Sequence, residues 1–218
     1  MEGVLPLPPS GSAEAVVDVV VAGAGPVGLL LGCLLRKAGV QAVLVDPHTG
    51  PGVASKAVVT MPRSLEVMDC VGVGEELSRL ARGLTMGRVA TSCQAWTTEA
   101  SKLADRVSDK AVSPYSSPHL IGQNTVERVL DRRFKELGGT LFRAARFTGF
   151  TESESGVDVA VERFVYVRPP TAAPAVPEHL QQVASTTLKA KYLVGCDGKQ
   201  SAVRQAIGVD YVGKDCLQ

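Results

Sequence analysis

The hydrophobic pattern of the chain starts with an almost unbroken apolar run, VVDVVVA, at residues 16–22. A run this rich in β-branched residues predicts a parallel strand that is covered on both faces. A glycine-rich turn follows, and the apolar positions after Pro26 predict a helix that ends near Lys37, with Gly39 as its C-terminal cap. The segment AVLVD at residues 42–46 predicts a second strand. These elements together predict a βαβ unit with a right-handed crossover.

The clearest helical pattern of the chain is NTVERVLDRRFKELGG. Asn124 and Glu127 have the spacing of a capping box, and Gly138 is placed to end the helix. One apolar stripe runs along it, made of Val126, Val129, Leu130, Phe134 and Leu137. Shorter helices are expected after Pro62 and from Glu75 to Ala81, and MGRVATSCQAW is typical of a strand.

Beyond Gly138 the pattern changes to the period of two that is typical of strands. TLFRAARFTGFTESESGVDVAVERFVYV alternates like antiparallel strands, and RPPTAAPAVPEHLQQ has the composition of a surface loop. The predicted fold class is therefore α/β, a Rossmann-like and mainly parallel sheet with helices, plus an antiparallel β-meander. We expect four strands to share that parallel sheet, at Val16–Ala22, Ala42–Val45, Thr140–Phe142 and Lys191–Val194.

Composition narrows the function classes. The 218 residues carry a formal net charge of +1, which gives no indication of nucleic-acid binding. Residues 1–15 lack the basic and apolar regions of a secretory signal and are expected to form a flexible tail. Residues 16–35 are apolar enough to suggest a membrane span, but Asp18 and the central Gly/Pro cluster favour a strand followed by a helix.

The cysteines and histidines give no indication of a metal site. The five cysteines lack the short spacings of zinc sites and disulfide frameworks, and the three histidines are isolated in the sequence. Unpaired cysteines are typical of a reduced compartment, so we expect a cytoplasmic protein without a bound metal.

The glycine turn carries the strongest chemical signal. Gly23, Gly25 and Gly28 form the pattern GxGxxG after a strand and before a helix, the context in which it binds dinucleotides. Gly23 permits the tight turn, Gly25 lets a pyrophosphate approach the backbone, and Gly28 lets helix and strand pack closely. Pro26 suits the first helical turn. Asp46, at the end of the second strand, is expected to accept ribose hydroxyls and to repel a 2′-phosphate, which favours FAD or NAD over NADP.

The stretch from Val16 to about Tyr211 resembles the FAD-binding half of the flavoprotein aromatic hydroxylases, the group that includes p-hydroxybenzoate hydroxylase and phenol monooxygenase. Four segments carry the resemblance in their order and spacing, VVVAGAGPVGLLLGCLLRKAGVQAVLVD, SKAVVTMPRSLEVMDCVGVG, LIGQNTVERVLDRRFKELGG and YLVGCDGKQSAVRQAIG.

The resemblance implies further cofactor-binding residues. Asp197 and Gly198 match the family's Asp-Gly motif, implicated in binding FAD and NAD(P)H, and Gln123 matches a glutamine before the long helix that contacts the flavin side chain. Lys56 stands where the family usually has an arginine that holds FAD, and lysine keeps the charge but not the planar fork. Arg63 is an alternative positive group, or a solvated residue at a helix start.

The implied activity is that of an FAD-dependent monooxygenase. In that family NADPH or NADH reduces the flavin, the reduced flavin forms a C4a-hydroperoxide with O2, and this species hydroxylates a phenol-like small aromatic substrate. Full-length members are possible homodimers. No catalytic residue of the protein itself is identified. A catalytically inactive FAD-binding remnant or partner-dependent module and, less favoured, an NAD-dependent dehydrogenase remain as alternatives.

The resemblance also implies an order of domains. Family members continue into a second flavin motif and the rest of a substrate-binding sheet, which nothing here matches, so we expect a truncated chain with part of a substrate-domain β-sheet. The expected segments are a tail at 1–15, FAD-binding elements at 16–84, partial substrate-domain strands at 85–120, the remaining FAD-binding domain at 121–210 and the start of the missing domain at 211–218.

Overall fold

The computed structural model describes residues 16–52, 58–83, 86–90, 95–99, 113–115, 118–167 and 179–213. The chain divides into two compact units. Unit 1 comprises Met1–Gly50 and Gly138–Gln218, and unit 2 comprises Pro51–Leu137. The domain boundaries expected from the sequence remain predictions.

Unit 1 contains one six-stranded sheet. Its strands are β1 (Val17–Ala22), β2 (Ala42–Asp46), β8 (Thr140–Arg143), β9 (Ala145–Ser153), β10 (Gly156–Val167) and β11 (His179–Gly195). Their order in the sheet is β8-β2-β1-β11-β10-β9. Two helices accompany the sheet, α1 (Pro26–Lys37) and α5 (Ala202–Ala206). The βαβ unit predicted for the first part of the chain is thus present as β1, α1 and β2.

The four strands that the sequence places in one mainly parallel sheet do share it. β1 pairs in parallel with both β2 and β11, and β2 pairs in parallel with β8. The antiparallel meander is also confirmed, because β10 pairs with β9 on one side and with β11 on the other. The predicted end of the Pro-rich loop was wrong. Residues 179–182 were assigned to the loop but form the start of β11, whose long pairing with β10 extends beyond the Pro-rich segment.

The core of unit 1 follows from the apolar runs of its strands. Val20, Ala22 and Val45 are fully buried, as expected for strands in the middle of a parallel sheet. The meander contributes alternate side chains to the same cluster, among them Phe147, Val157, Val159, Val161, Leu188 and Ala190. The core therefore joins the parallel and antiparallel parts of the sheet into one body.

Asp18, the one charged residue in the first apolar run, is paired at the start of β1. Its Oδ1 accepts a hydrogen bond from the Lys191 ammonium at 2.7 Å, and its Oδ2 accepts from the Gln41 backbone N–H at 2.9 Å. The hydrogen bond from Lys191 is the largest cause that holds the pKa of Asp18 below its ordinary value. The ion pair therefore links β1 to β11 at neutral pH.

Among the described residues, unit 2 contains three helices and two small antiparallel sheets. Its helices are α2 (Pro62–Asp69), α3 (Gly74–Leu80) and α4 (Gln123–Glu136), all three predicted from the sequence. One sheet has the order β3-β7-β4, with β3 (Val59–Thr60), β7 (His119–Leu120) and β4 (Arg82–Gly83); the other pairs β5 (Met86–Ala90) with β6 (Ala95–Glu99). The sequence expectation of a strand within MGRVATSCQAW covers β5 and part of β6, and its residues 91–94 lie outside the described residues.

The start of α4 differs from the predicted capping box. The helix begins at Gln123 with Gly122 as its N-cap, and no side chain caps its backbone. Asn124 is therefore not the cap, and the Glu127 carboxylate bonds to groups other than the cap backbone. No helix among the described residues is long and apolar enough to cross a bilayer.

A buried tyrosine connects α2 to a segment that follows it far along the chain. The Tyr115 hydroxyl donates to Asp69 Oδ2 at 2.7 Å, and Tyr115 is buried. Burial, followed by the hydrogen bond to Asp69, raises the pKa of Tyr115 well above its ordinary value. The phenol therefore remains a donor throughout the neutral pH range.

We expect Tyr115→Phe to lower the free energy of unfolding by about 1–2 kcal/mol, because it removes the hydrogen bond that the buried Tyr115 hydroxyl donates to the Asp69 carboxylate. Tyr192→Phe is the matched control, because Tyr192 is 67% exposed and its substitution should change stability by less than about 0.5 kcal/mol. Urea unfolding of both variants measures the difference. Equal midpoints for the two would contradict the assigned role of Tyr115.

Candidate functional site

The glycine turn lies at the carboxyl edge of the parallel sheet, directly after β1. Gly23 has a backbone φ of +101°, a region that side-chain-bearing residues rarely adopt. A Cβ at Gly23 would also lie 2.9 Å from the Asp197 Cα and closer still to the Cys196 carbonyl. The turn is held on both sides, because the Gly23 N–H donates to the Val45 carbonyl at 2.8 Å and the Cys196 N–H donates to the Ala22 carbonyl at 2.7 Å. Only glycine satisfies these contacts without strain.

Gly25 presents an open backbone surface at the start of α1. It is the N-cap of the helix, no side chain caps it, and Pro26 occupies the first turn. A Cβ at Gly25 would find no other atom within 4 Å beyond its chain neighbours. The positive end of the α1 dipole and its first N–H groups therefore face a space that a pyrophosphate can enter.

Gly28 has the packing role expected from the motif. A Cβ at this position would collide with the Gly23 carbonyl oxygen and would lie 3.3 Å from the Cys196 Cβ. The absence of a side chain thus lets the first turn of α1 approach both the glycine turn and the end of β11. Gly23, Gly25, Pro26 and Gly28 are brought together in unit 1 in the arrangement that the sequence indicated.

Asp46 is buried at the end of β2, where only 5% of the residue is exposed. Its Oδ2 accepts from the Ala24 backbone N–H at 2.7 Å, which ties the carboxylate to the glycine turn. Its Oδ1 accepts from the His48 backbone N–H at 2.8 Å and lies 3.0 Å from His48 Nδ1. Asp46 thus lies beside the glycine turn, as expected. Most of the hydrogen bonds that its carboxylate is able to accept come from groups within the protein.

Sequence reasoning missed Arg143 as a neighbour of Asp46. Arg143 ends β8, is buried, and places Nη1 3.5 Å from Asp46 Oδ1. Strand order explains the proximity, because β8 pairs with β2 and brings Asp46 and Arg143 into the same register. The signal available in the sequence was an arginine at the end of a predicted parallel strand, a position that points to the ligand-binding edge.

The Asp-Gly segment lies next to the glycine turn, as the shared sheet required. Asp197 Oδ1 accepts from the Ser201 hydroxyl at 2.5 Å, and Oδ2 accepts from the backbone N–H groups of Ala202 at 2.6 Å and Val203 at 3.2 Å. The N-cap of α5 is Ser201, whose hydroxyl accepts from the Arg204 N–H at 2.9 Å. Asp197 accepts from the first two N–H groups of the same helix, so its carboxylate fixes the bend that follows β11. Gly198 is exposed, with a φ of +81°.

Cys196 joins β11 to this bend. Burial, followed by the charge of Asp197, raises the pKa of Cys196 above its ordinary value. The thiol therefore stays protonated, and the residue contributes to the site through its backbone.

The remaining expected site residues belong to unit 2 or lie outside the described residues. Gln123 is the first residue of α4, not a residue before the helix, and its Nε2 donates to Glu127 Oε1 at 2.7 Å. Lys56 lies outside the described residues. Arg63 is exposed on α2 and forms an ion pair with Glu66 at 2.9 Å. Of the two alternatives for Arg63, this favours a solvated residue at the start of a helix.

A parallel sheet with an open glycine turn at its carboxyl edge, beside the buried carboxylate that ends the neighbouring strand, defines a dinucleotide-binding domain of the Rossmann type. The family model described as FAD binding domain matches residues 16–217. The chain belongs to this family. The cofactor expected from the sequence, FAD, is thereby confirmed, and the resemblance to FAD-dependent aromatic monooxygenases is confirmed by similar proteins.

One similar protein is the 12-dehydrotetracycline 5-monooxygenase/anhydrotetracycline 6-monooxygenase of Streptomyces rimosus, which is 32% identical over 198 residues, or 91% of this chain and 34% of the relative. The solved structure of an anhydrotetracycline hydroxylase from Streptomyces rimosus matches with a TM-score of 0.69 and 30% identity, over 92% of this chain and 36% of that one. A para-nitrophenol 4-monooxygenase of a Pseudomonas species is 28% identical over 92% of this chain and 44% of its own length. The chain thus spans less than half the length of these relatives.

We expect Gly23→Ala to destabilise unit 1 by roughly 2–5 kcal/mol, the sum of a left-handed backbone cost and of overpacking against Cys196 and Asp197. Gly39→Ala is the matched control. Gly39 also has a positive φ, +81°, but a Cβ there meets nothing within 4 Å, so only the backbone cost of about 1–2 kcal/mol applies. Chemical denaturation measures both, and equal losses would show that the close approach at Gly23 contributes nothing.

Proposed function

We propose that this chain is the FAD-binding part of an NAD(P)H-dependent flavin monooxygenase that hydroxylates a small, phenol-like aromatic substrate. The observation that carries the proposal is the open space over Gly25 at the N-terminus of α1. A pyrophosphate placed there meets backbone N–H groups and the positive end of the helix dipole. Other features that support the proposal are the family membership and the monooxygenase activity named for similar proteins.

Each site residue has a distinct role in this proposal. The backbone at Gly25 binds the pyrophosphate, Gly23 and Gly28 shape the turn, and Pro26 starts the helix. Asp46 accepts a ribose hydroxyl on Oδ2, the oxygen that has only Ala24 as a hydrogen-bond donor among the described contacts. Asp197 and Gly198 form the bend beside the turn, Gln123 contacts the flavin side chain, and Lys56 contributes a positive charge.

The protein supplies binding and orientation, and the cofactor supplies the redox chemistry. FAD, when bound, would supply the redox chemistry between a reduced nicotinamide, O2 and an electron-rich ring, with one oxygen atom in the hydroxylated product and the other in water. The activity named for the para-nitrophenol 4-monooxygenase supports a phenol-like substrate for this chain. We further propose a cytoplasmic location and, for the whole protein, a homodimer.

A non-catalytic FAD-binding module is the second candidate, because the family model that matches is an FAD binding domain and the candidate site described above offers groups for a nucleotide. One experiment distinguishes the two candidates. The chain is supplied with FAD, NADH or NADPH, O2 and a panel of phenols, and hydroxylated product and hydrogen peroxide are both quantified. Product in proportion to the NAD(P)H consumed supports the monooxygenase, and FAD binding without product supports the module.

We expect Gly25→Val to weaken FAD binding by at least about a hundredfold. The valine side chain prevents the pyrophosphate from accepting two or more charge-assisted hydrogen bonds from backbone N–H groups. The folded chain has room for the new side chain, so stability should fall by no more than about 1 kcal/mol. Gly149→Val is the matched control, since a Cβ at Gly149 also meets nothing within 4 Å and the residue lies on β9. Quenching of flavin fluorescence gives the dissociation constants. Unchanged FAD binding by Gly25→Val would contradict the proposed pyrophosphate site.

The proposed ribose contact gives a second binding test. We expect ADP-ribose to compete with FAD more effectively than its 2′-phosphorylated form. A 2′-hydroxyl is able to donate a hydrogen bond to the Asp46 carboxylate, whereas an ionised 2′-phosphate has no proton to donate and is repelled. Arg143 Nη1 and His48 Nδ1 already lie beside Asp46 Oδ1. Competition titrations against bound FAD measure the ratio. A preference for the 2′-phosphorylated ligand would show that Arg143, and not Asp46, determines ribose recognition.

A further inference from the structure

Glu127 is a buried acidic residue in the first half of α4, with only 5% of its surface exposed. Both of its carboxylate oxygens have partners within unit 2. Oε2 accepts from the Gly52 backbone N–H at 2.8 Å, and Oε1 accepts from the Gln123 side-chain Nε2 at 2.7 Å. The carboxylate therefore connects two groups, a distant backbone and the first side chain of its own helix.

The burial of this carboxylate is a cost that helix formation does not require. A buried carboxylate is tolerated only when hydrogen bonds replace its water. The neighbouring apolar stripe already gives the helix a buried face, with Val126, Val129, Leu130 and Phe134. Glu127 differs from these residues because it accepts hydrogen bonds from the Gly52 backbone and the Gln123 side chain. These two bonds indicate that Glu127 fixes the positions of the two donors.

The bond from Gln123 fixes the orientation of that side-chain amide. Because Nε2 points to Glu127, the carbonyl Oε1 is on the opposite branch of the amide, directed away from the carboxylate. A glutamine without this bond is able to present either its donor or its acceptor after a half-turn of the amide. Glu127 thus determines the orientation of the Gln123 amide.

We propose that Glu127 is a positioning residue for the flavin. It holds the Gln123 amide in one orientation and, through the same carboxylate, anchors the backbone at Gly52. This inference rests on the proposed FAD-binding function, in which Gln123 contacts the flavin side chain. It assigns to Glu127 no contact with the cofactor, so its effect on binding passes through Gln123.

The test compares the 218-residue chain with four variants of it. Glu127→Gln retains the size of the side chain but accepts from only one of the two donors. Gln123→Ala removes the amide, and the double variant Gln123→Ala/Glu127→Gln removes both. Val129→Ala is the control, because Val129 is buried on the same helix and its truncation lowers stability without touching Gln123 or Gly52. FAD dissociation constants, the visible circular dichroism of the bound flavin and thermal midpoints are measured for each.

We expect Glu127→Gln and Gln123→Ala each to weaken FAD binding by about tenfold, the loss of one hydrogen bond to a well-oriented partner. The double variant should bind FAD within about twofold of Gln123→Ala, because two residues that act through one contact are not additive. The flavin circular dichroism should change in Glu127→Gln but not in Val129→Ala. The thermal midpoint should fall in both.

Three results overturn the inference. If Glu127→Gln loses stability but keeps the native FAD affinity and spectrum, the residue is structural only. If the losses from the two single substitutions multiply in the double variant, Glu127 does not act through Gln123. If the unsubstituted chain does not bind FAD, the proposed function fails and the inference fails with it, an outcome that the first titration separates from the other two.

Discussion

The close approach of two backbone segments, at Gly23 and at Cys196–Asp197, is the constraint on which the rest of unit 1 depends. The parallel pairing of β1 with β11 continues to Ala22 and Gly195, so the two strands leave the sheet side by side. A side chain at Gly23 would push the segments apart. Because α1 starts within the same turn, this contact also determines where the helix N-terminus lies relative to the sheet edge.

Three carboxylates accept hydrogen bonds from backbone N–H groups that lie outside the strands. Asp46 accepts from the backbone N–H of Ala24, Asp197 accepts from the start of α5, and Glu127 accepts from Gly52. A hydrogen bond from a backbone N–H to a carboxylate is stronger than one between neutral groups, and each fixes a segment that has no sheet partner. The loops are therefore positioned before a ligand binds, which lowers the ordering cost of binding.

In the proposed function, the glycine turn, Asp46 and the Asp-Gly bend of unit 1 provide hydrogen-bond donors and acceptors for the phosphate and sugar of the nucleotide. This agrees with the division of labour in flavoproteins, where the cofactor performs the redox chemistry and the protein orients it. The candidate residues of unit 1 are therefore proposed to bind and orient FAD.

The sequence by itself determined the strands of the parallel sheet, the helices α1 to α4 and the glycine turn. The apolar runs of β1 and β2, the stripe of α4 and the spacing of Gly23, Gly25 and Gly28 are local patterns, and local patterns encode strand, helix and turn. The bonds between distant residues were decided by the tertiary structure alone. Glu127 has the spacing of a capping residue, yet it bonds to Gly52, 75 positions away. Arg143 meets Asp46 only because β8 pairs with β2. Such contacts depend on which elements become neighbours, and periodicity within one element carries no information about its neighbours.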